Sequence, residues 1–466
     1  MKRYFISIIL LAESFAWGQT AVSPIAHTPS EATTPKGEYI SWKEHIIDDT
    51  ASAGIPISGS DGLVMADLDG DGFEDIVSVH ESDTTYDNVA DGHIRIAFGS
   101  ASPDEWINMT LAEGAEAGAA EDAAIGDMNG DGHLDIIAAC ELSHVIYFQN
   151  PGVNIRTKHW PRLILPVTEK RGSFIRVFLA DFNGDGQLEA VAPNKGEQNP
   201  DRNTMDLNPI SIFAFDGEPM DVEAWREIEL GRYRIPQNSD PVDLDGDGDM
   251  DIVGGARSEA KIMWFENQGG PGFKFTEHPI KLDRDRAGGF NMDYADLNGD
   301  GRLDIVAATQ RGLCWLEQPM AKDGVWTSHY VGTFGPDTMT GFTLSDINGD
   351  GNLDVMAGSY SRGPRGQDGE LSPSDRLGRI GWFENPGSTS EDWTRHDVSR
   401  RIRGMFDKFI ARDMDGDGDI DFVGTRGNSN PFDGVFWLEQ VRTPDPQKRF
   451  TPARTTDSRE MPLPPE

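Results

Sequence analysis

The sequence predicts an all-β fold, a seven-bladed β-propeller with an acidic loop in each blade, on three observations. One nine-residue motif recurs seven times, short apolar runs flank every copy, and glycine is abundant at 52 of 466 residues. Short runs punctuated by turn residues favour strands over helices, and a fixed repeat favours a ring or array of like units.

The motif, D-x-[DN]-G-D-G-x-x-[DE], starts at Asp67, Asp127, Asp181, Asp243, Asp296, Asp346 and Asp413. The starts lie about 50 to 67 residues apart, the length of a four-stranded blade with its loops. Its third position is Asp69, Asn129, Asn183, Asp245, Asn298, Asn348 or Asp415, and its fifth is Asp71, Asp131, Asp185, Asp247, Asp300, Asp350 or Asp417. The ninth is Asp75, Asp135, Glu189, Asp251, Asp304, Asp354 or Asp421. A hard cation such as calcium takes about six to eight oxygen ligands, and positions 1, 3, 5 and 9 supply side chains for it. The seventh residue adds its backbone carbonyl: Phe73, His133, Gln187, Asp249, Arg302, Asn352 or Asp419. Glycine at position 6 permits the sharp turn that gathers these ligands, and about seven structural calcium ions are expected. Magnesium, which keeps its waters, fits less well.

An EF-hand shares these first nine positions but needs a bidentate Glu at position 12 and flanking helices. Position 12 here is Ser78, Ala138, Ala192, Gly254, Ala307, Ala357 or Gly424, and the flanks read as strands. The loops also account for much of the net charge of −38, since they hold 24 carboxylates that seven calcium ions would half neutralise. The acidity therefore carries no message about a basic partner. Without metal the carboxylates would repel one another, so calcium is expected to contribute strongly to folding.

These residues resemble the FG-GAP or VCBS-type repeats found in integrin α-chain propellers and in many bacterial secreted proteins. The resemblance covers residues 42–440 and implies a calcium loop between the first and second strands of each blade. Propellers similar to this one also occur in polysaccharide lyases and in sugar dehydratases of the aldos-2-ulose type.

The remaining strands follow a regular order. In the fifth blade they are read as Asn291–Ala295, Asp304–Ala308, Gly312–Glu317 and Trp326–Val331. The third strand recurs around Trp264, Trp315, Trp382 and Trp437, each followed by x-Glu-[Asn/Gln]. The fourth carries an aromatic and a His three residues on, as in Phe275/His278, Trp326/His329 and Trp393/His396. Once-per-blade residues read as packing between stacked blades. The last blade lacks a fourth strand, and Trp42–Ile47 carries the missing spacing, so an N-terminal strand is expected to close the ring.

Residues 1–18 read as a signal peptide, with Lys2 and Arg3 before a short apolar stretch, which points to a secreted or periplasmic monomer. Residues 19–41 and 441–466, rich in Pro, Thr and Ser, are expected to be disordered. No stretch is long enough to span a membrane, and Cys140 and Cys314 fall in different blades and are expected to be free.

Basic residues collect in connections away from the loops, including Lys170, Arg171, Arg234, Arg284, Arg286, Arg311, Arg400, Arg401, Arg403 and Arg426. Such a cationic sector could focus an acidic polysaccharide or an extracellular protein; equally, surface loops carry charge beside their own acids, such as Asp283 and Asp285. Lys195, Arg232, Tyr233, Arg257, Asp293, Tyr294 and Lys408 are the candidates for a ligand face opposite the loops. A binding module is the leading reading, and a lyase or dehydratase the alternative. Secretion and acidity argue against nucleic acid, and no nucleophile, phosphate-loop or zinc motif is present.

Overall fold

A computed structural model describes residues 23–82, 89–142, 144–157, 159–389 and 391–465. The expected signal peptide, residues 1–18, lies outside the described residues. Among the described residues no helix is long and apolar enough to cross a membrane.

The fold is all-β, built from many small antiparallel sheets, and is consistent with a β-propeller. The first sheet runs Ser60–Ala66, Asp75–His80, His93–Phe98 and Ile107–Glu113, each strand paired to the next. The second repeats this with Ala120–Gly126, Asp135–Cys140, His144–Phe148 and Arg162–Ile164, and the third with Phe178–Ala180, Glu189–Pro193, Asn208–Phe215 and Trp225–Tyr233. The stretch expected to hold Asn291–Ala295 through Val331 forms Ala287–Ala295, Asp304–Thr309, Gly312–Glu317 and Val325–Gly332. It joins the preceding sheet, Pro236–Val242, Asp251–Ala256, Lys261–Asn267 and Phe275–Leu282, through a short parallel pairing of Lys281 with Val325 and Leu282 with Trp326. Thr338–Ser345, Asp354–Tyr360, Gly378–Glu384 and Thr394–Arg401 make the next sheet.

In the last sheet, Phe409–Arg412, Asp421–Arg426 and Gly434–Thr443 take their fourth strand from the other end of the chain. Tyr39–Asp49 pairs antiparallel with Gly434–Thr443, placing Trp42 opposite Gln440 and His45 opposite Trp437. This covers an edge that would otherwise expose unpaired backbone groups.

The repeated Trp-x-Glu-[Asn/Gln] tetrad has a different job at each position. Each Trp lies directly across from the fourth-strand His: Trp264 from His278, Trp315 from His329, Trp382 from His396. The rings stack at 4.0–4.8 Å, and the His bonds the Glu two residues along, as His278 does Glu266 at 2.7 Å. The Trp–His pair lies within one sheet, because strand register puts it on one face, while each Trp also belongs to a core shared with the next sheet, Trp264 with Ile305 and Leu316 and Trp437 with Leu63 and Ile76. At most of these positions, and at the equivalent Asn150, the Asn or Gln makes a link between sheets, whereas Asn385 bonds Leu353 of its own loop. Asn150 reaches the Leu68 carbonyl, Asn267 that of Phe182, Gln318 that of Leu244 and Gln440 that of Ile347, each the second residue of the preceding Asp-Gly loop.

The expectation of disordered ends is corrected for residues 23–41 and 441–465; residues 19–22 and 466 lie outside the described residues. Ile25 is buried, Ala26 and Ala32 are buried in one cluster with Trp42 and Phe450, and Phe450–Thr451 adds a parallel strand to Tyr39–Asp49. Backbone bonds tie Ile25 to Met461, Ser30 to Gln447 and Met461 to Arg400. Arg401 pairs with Glu44, Asp457 and Glu460, and Arg426 with Asp457. A few apolar anchors and ion pairs, spread too thinly to leave a periodic pattern, hold both ends on the body. Cys140 and Cys314 are buried and free.

Candidate functional site

The inner strand of each sheet ends directly in an Asp-Gly loop, so Ala66 precedes Asp67 and Ser345 precedes Asp346. In the first loop, Asp67 accepts backbone N–H bonds from Gly70 at 2.8 Å, Asp71 at 3.1 Å and Gly72 at 2.9 Å. Asp69 accepts from Asp71 and Asp71 from Phe73. Asp75 accepts from Leu68 and from Gly99, so it buttons the loop onto the third strand. The same network recurs in the other loops, for example Asp243 with Gly246, Asp247 and Gly248. Glycines at positions 4 and 6 take φ of +73° and +93° in the first loop. A Cβ there would meet nothing within 4 Å, so the requirement is conformational.

The result is a set of converging oxygens. Ligand atoms of Asp67, Asp69 and Asp71 lie within 4.8 Å of one another, as do those of Asp243, Asp245 and Asp251 and of Asp413, Asp415 and Asp421. Burial, with the neighbouring loop carboxylates adding to it, pushes the ninth-position acids up: Asp75 and Asp135 to about 6, Asp251, Asp304 and Asp421 to about 7. An all-oxygen set short of positive charge suits a hard divalent cation. Among the described residues protein cations already stand at four loops, Arg156 on Asp69 and Asp71, Lys322 on Asp245, Arg302 on Asp300 and Arg442 on Asp419.

The inner strands also line one cavity of about 720 Å³, walled by Val64, Ala123, Val177, Asn291, Asp293, Thr343, Asp407 and Lys408 among others. Of the predicted ligand-face residues, Asp293 and Lys408 line this cavity. Asp293 accepts from the Leu344 N–H at 2.8 Å and from Thr343 Oγ1 at 3.2 Å. Tyr294 donates to Asp240 at 2.8 Å. Lys195 is buried and ion-paired with Glu141, and Arg257 lies within electrostatic reach of it.

Arg232 and Tyr233 are not brought to this place. They end an outermost strand, where Arg232 pairs in the open with Glu229 and Tyr233 packs against Phe265. The expected cationic sector is corrected too. Arg400 is held by Asp337, Arg403 by Asp368, Arg311 by Asp285, Arg284 by Asp283, Arg171 by Glu227 and Arg234 by Glu259. These guanidinium groups are occupied by local acids, so the field they present outward is small.

What the sequence reading missed is a cluster of carboxylates beside Lys195. Asp61 and Glu121 are the second residues of the first two inner strands, and Glu81 and Glu141 follow the strands paired to them. Glu81, Glu141, Lys195 and Arg257 each stand six residues past the ninth position of their loop. Successive units thus place acid, acid, base, base at one level. Aligning the repeats beyond the motif would have found them; a search for basic residues alone did not. Burial, reinforced by Glu121, Glu81 and Asp407, pushes Asp61 well above the carboxylate range. Burial raises Glu121 to about 7 despite Lys195 and Arg176, and lowers Lys195 to about 8 despite Glu121.

Small antiparallel sheets in series, each with an Asp-Gly loop between its first two strands, define an all-β repeat protein. The chain belongs to the FG-GAP-like repeat family, whose pattern matches residues 67–138, 127–192, 243–307 and 296–357. No curated protein matches it in sequence. Among solved structures it is similar to an Agrocybe aegerita lectin that recognises non-reducing terminal N-acetylglucosamine, at 18% identity and TM-score 0.44 over 75% of this chain and 82% of that one. It is also similar to BBS1N in complex with ARL6DN, at 11% identity and TM-score 0.45 over 88% and 97% of the two chains.

Proposed function

We propose that the chain is an exported, calcium-loaded β-propeller of seven blades that acts as a binding module, taking a glycan in the channel that the inner strands line. Residues 42–440 would form the ring, with both ends of the chain bound onto it. Each Asp-Gly loop would hold one calcium ion through its first, third, fifth and ninth side chains. The observation that carries the binding reading is the single cavity shared by the inner strands. Its wall mixes acceptors and donors, Asp122, Asn291, Asp293, Asp407 and Lys408, and such a mixture suits sugar hydroxyls. Carboxylates outnumber bases there, and most connecting arginines are paired, so a neutral glycan replaces an acidic polysaccharide as the favoured ligand. Calorimetry against neutral, uronate and sulfated oligosaccharides tests this. Binding to a neutral member, weakened at least tenfold in Asp293→Asn and Lys408→Ala with calcium content unchanged, would support it; binding indifferent to both substitutions would refute it.

One observation favours a second reading. Lys195, lowered to about 8 by burial, stands beside Glu141 and Glu121 and could serve as a base for proton abstraction in a lyase or dehydratase. Growth of ultraviolet-absorbing unsaturated products from a uronate polymer, lost in Lys195→Ala, would distinguish it.

A further inference from the structure

We propose that Asp61, Glu81 and Glu121 form a divalent-cation site of their own, separate from the Asp-Gly loops, at the opposite ends of the inner strands. The three carboxylates come from two neighbouring sheets. Asp61 and Glu121 sit near the starts of their inner strands, and Glu81 follows Asp75–His80. One oxygen from each lies within 4.8 Å of the other two. Asp61 is 3% exposed, and its Oδ2 has no hydrogen-bond partner. Asp61 Oδ2 and Glu81 Oε2 converge on Gly59, lying 3.6 and 3.2 Å from where a Cβ at that residue would stand.

A second observation points to a ligand independently. Asp407 arrives from the last sheet, is 6% exposed and lines the cavity, and its Oδ1 has no hydrogen-bond partner. It lies within electrostatic reach of both Asp61 and Glu121. A buried polar oxygen left unmatched is costly, so a native interior meets it with a donor or an ion.

Among the described residues, the basic side chains nearest the cluster are engaged elsewhere or reach it only electrostatically, as Arg176 and Arg365 do Asp61. The Lys195 ammonium is taken by Glu141. Arg176 donates to Asn291 Oδ1 at 3.0 Å and lies over the Phe290 ring. His80, between Asp61 and Glu81 in the first sheet, has both ring nitrogens engaged, Nδ1 with Ser60 Oγ at 2.6 Å and Nε2 with Ser78 Oγ at 3.0 Å. What remains is carboxylate oxygen, with neither imidazole nor thiolate. That donor set selects a hard ion of the calcium, magnesium or manganese class.

Crystals of the calcium-loaded protein soaked in manganese, with anomalous data recorded, test the site directly. The expected result is a peak within coordination distance of all three carboxylates. Metal analysis of the Asp61→Asn/Glu121→Gln variant should show one equivalent fewer than wild type, and Asp67→Asn should leave this site filled. Peaks confined to the Asp-Gly loops, or equal metal content in variant and wild type, would overturn the proposal. Should the double variant fail to fold, Glu81→Gln replaces it, and the wild-type anomalous map decides alone.

Discussion

The two ends of the inner strands use acidic residues in opposite ways. At the loop end, seven near-identical carboxylate sets run from an exposed fifth position to a buried ninth, and their oxygens are aimed by backbone N–H groups. At the other end Asp61, Glu81, Glu121, Glu141 and Asp407 are buried, differ from unit to unit, and are matched incompletely by Lys195 and Arg176. Repetition marks a structural task performed identically in every unit. Divergence marks the place where a repeat protein acquires a chemistry that its repeated motif does not supply.

That contrast can be broken most forcefully by removing metal. A ligand kept at about 100 times its dissociation constant contributes about 2.7 kcal/mol per site, so stripping the calcium proposed for the loops should collapse the melting transition. Scanning calorimetry in chelator and after recharging checks this; a melting temperature indifferent to chelator would mean that the loops are held by hydrogen bonds alone.

The clasp at the chain ends should come next. Deleting residues 444–466 strips Asp457 and Glu460 from the buried guanidinium groups of Arg401 and Arg426. Arg401 keeps Glu44, but Arg426 loses Asp457, and leaving a buried charge unpaired costs about 3–5 kcal/mol, to be read as a shifted urea midpoint. Acid should loosen the same clasp. Burial opposes ionisation of Glu44 and Asp457, yet Arg401 and Arg426 overcome it and hold both below their usual range. A carboxylate with a depressed folded value stabilises fully above its unfolded pKa, about 4, and that contribution fades as pH falls through the folded one. The tail should therefore release below about pH 4, seen as faster amide exchange at residues 450–461.

A smaller effect is expected within one loop. Gly72→Ala places a Cβ at φ of +93°, costing about 1–2 kcal/mol and lowering occupancy of that loop alone. Metal analysis would show one ion lost, or none if the backbone relaxes. Smallest of all, Arg232→Ala removes an exposed pair with Glu229 and should change neither melting temperature nor glycan binding. A loss of binding there would return the site to the outer strands.

The amino-acid sequence by itself determined the local elements. A nine-residue loop carries its own instructions, since Asp67 bonds groups three to five residues away and glycine supplies the positive φ. The strands on either side followed from apolar runs, and the aromatic-to-His spacing revealed the partnership of Tyr39–Asp49 with Gly434–Thr443 across the whole chain. Only the tertiary structure decided how charges far apart in sequence meet. Arg401 finds Glu44, Asp433 lies within reach of Arg426 and Arg403, and Asp61 finds Glu121 and Asp407. Composition counts these as surface charge, because charge has no periodicity that reports burial. Whether an arginine is an open ligand for an anion or a pin for a chain end depends on which carboxylate the fold sets beside it.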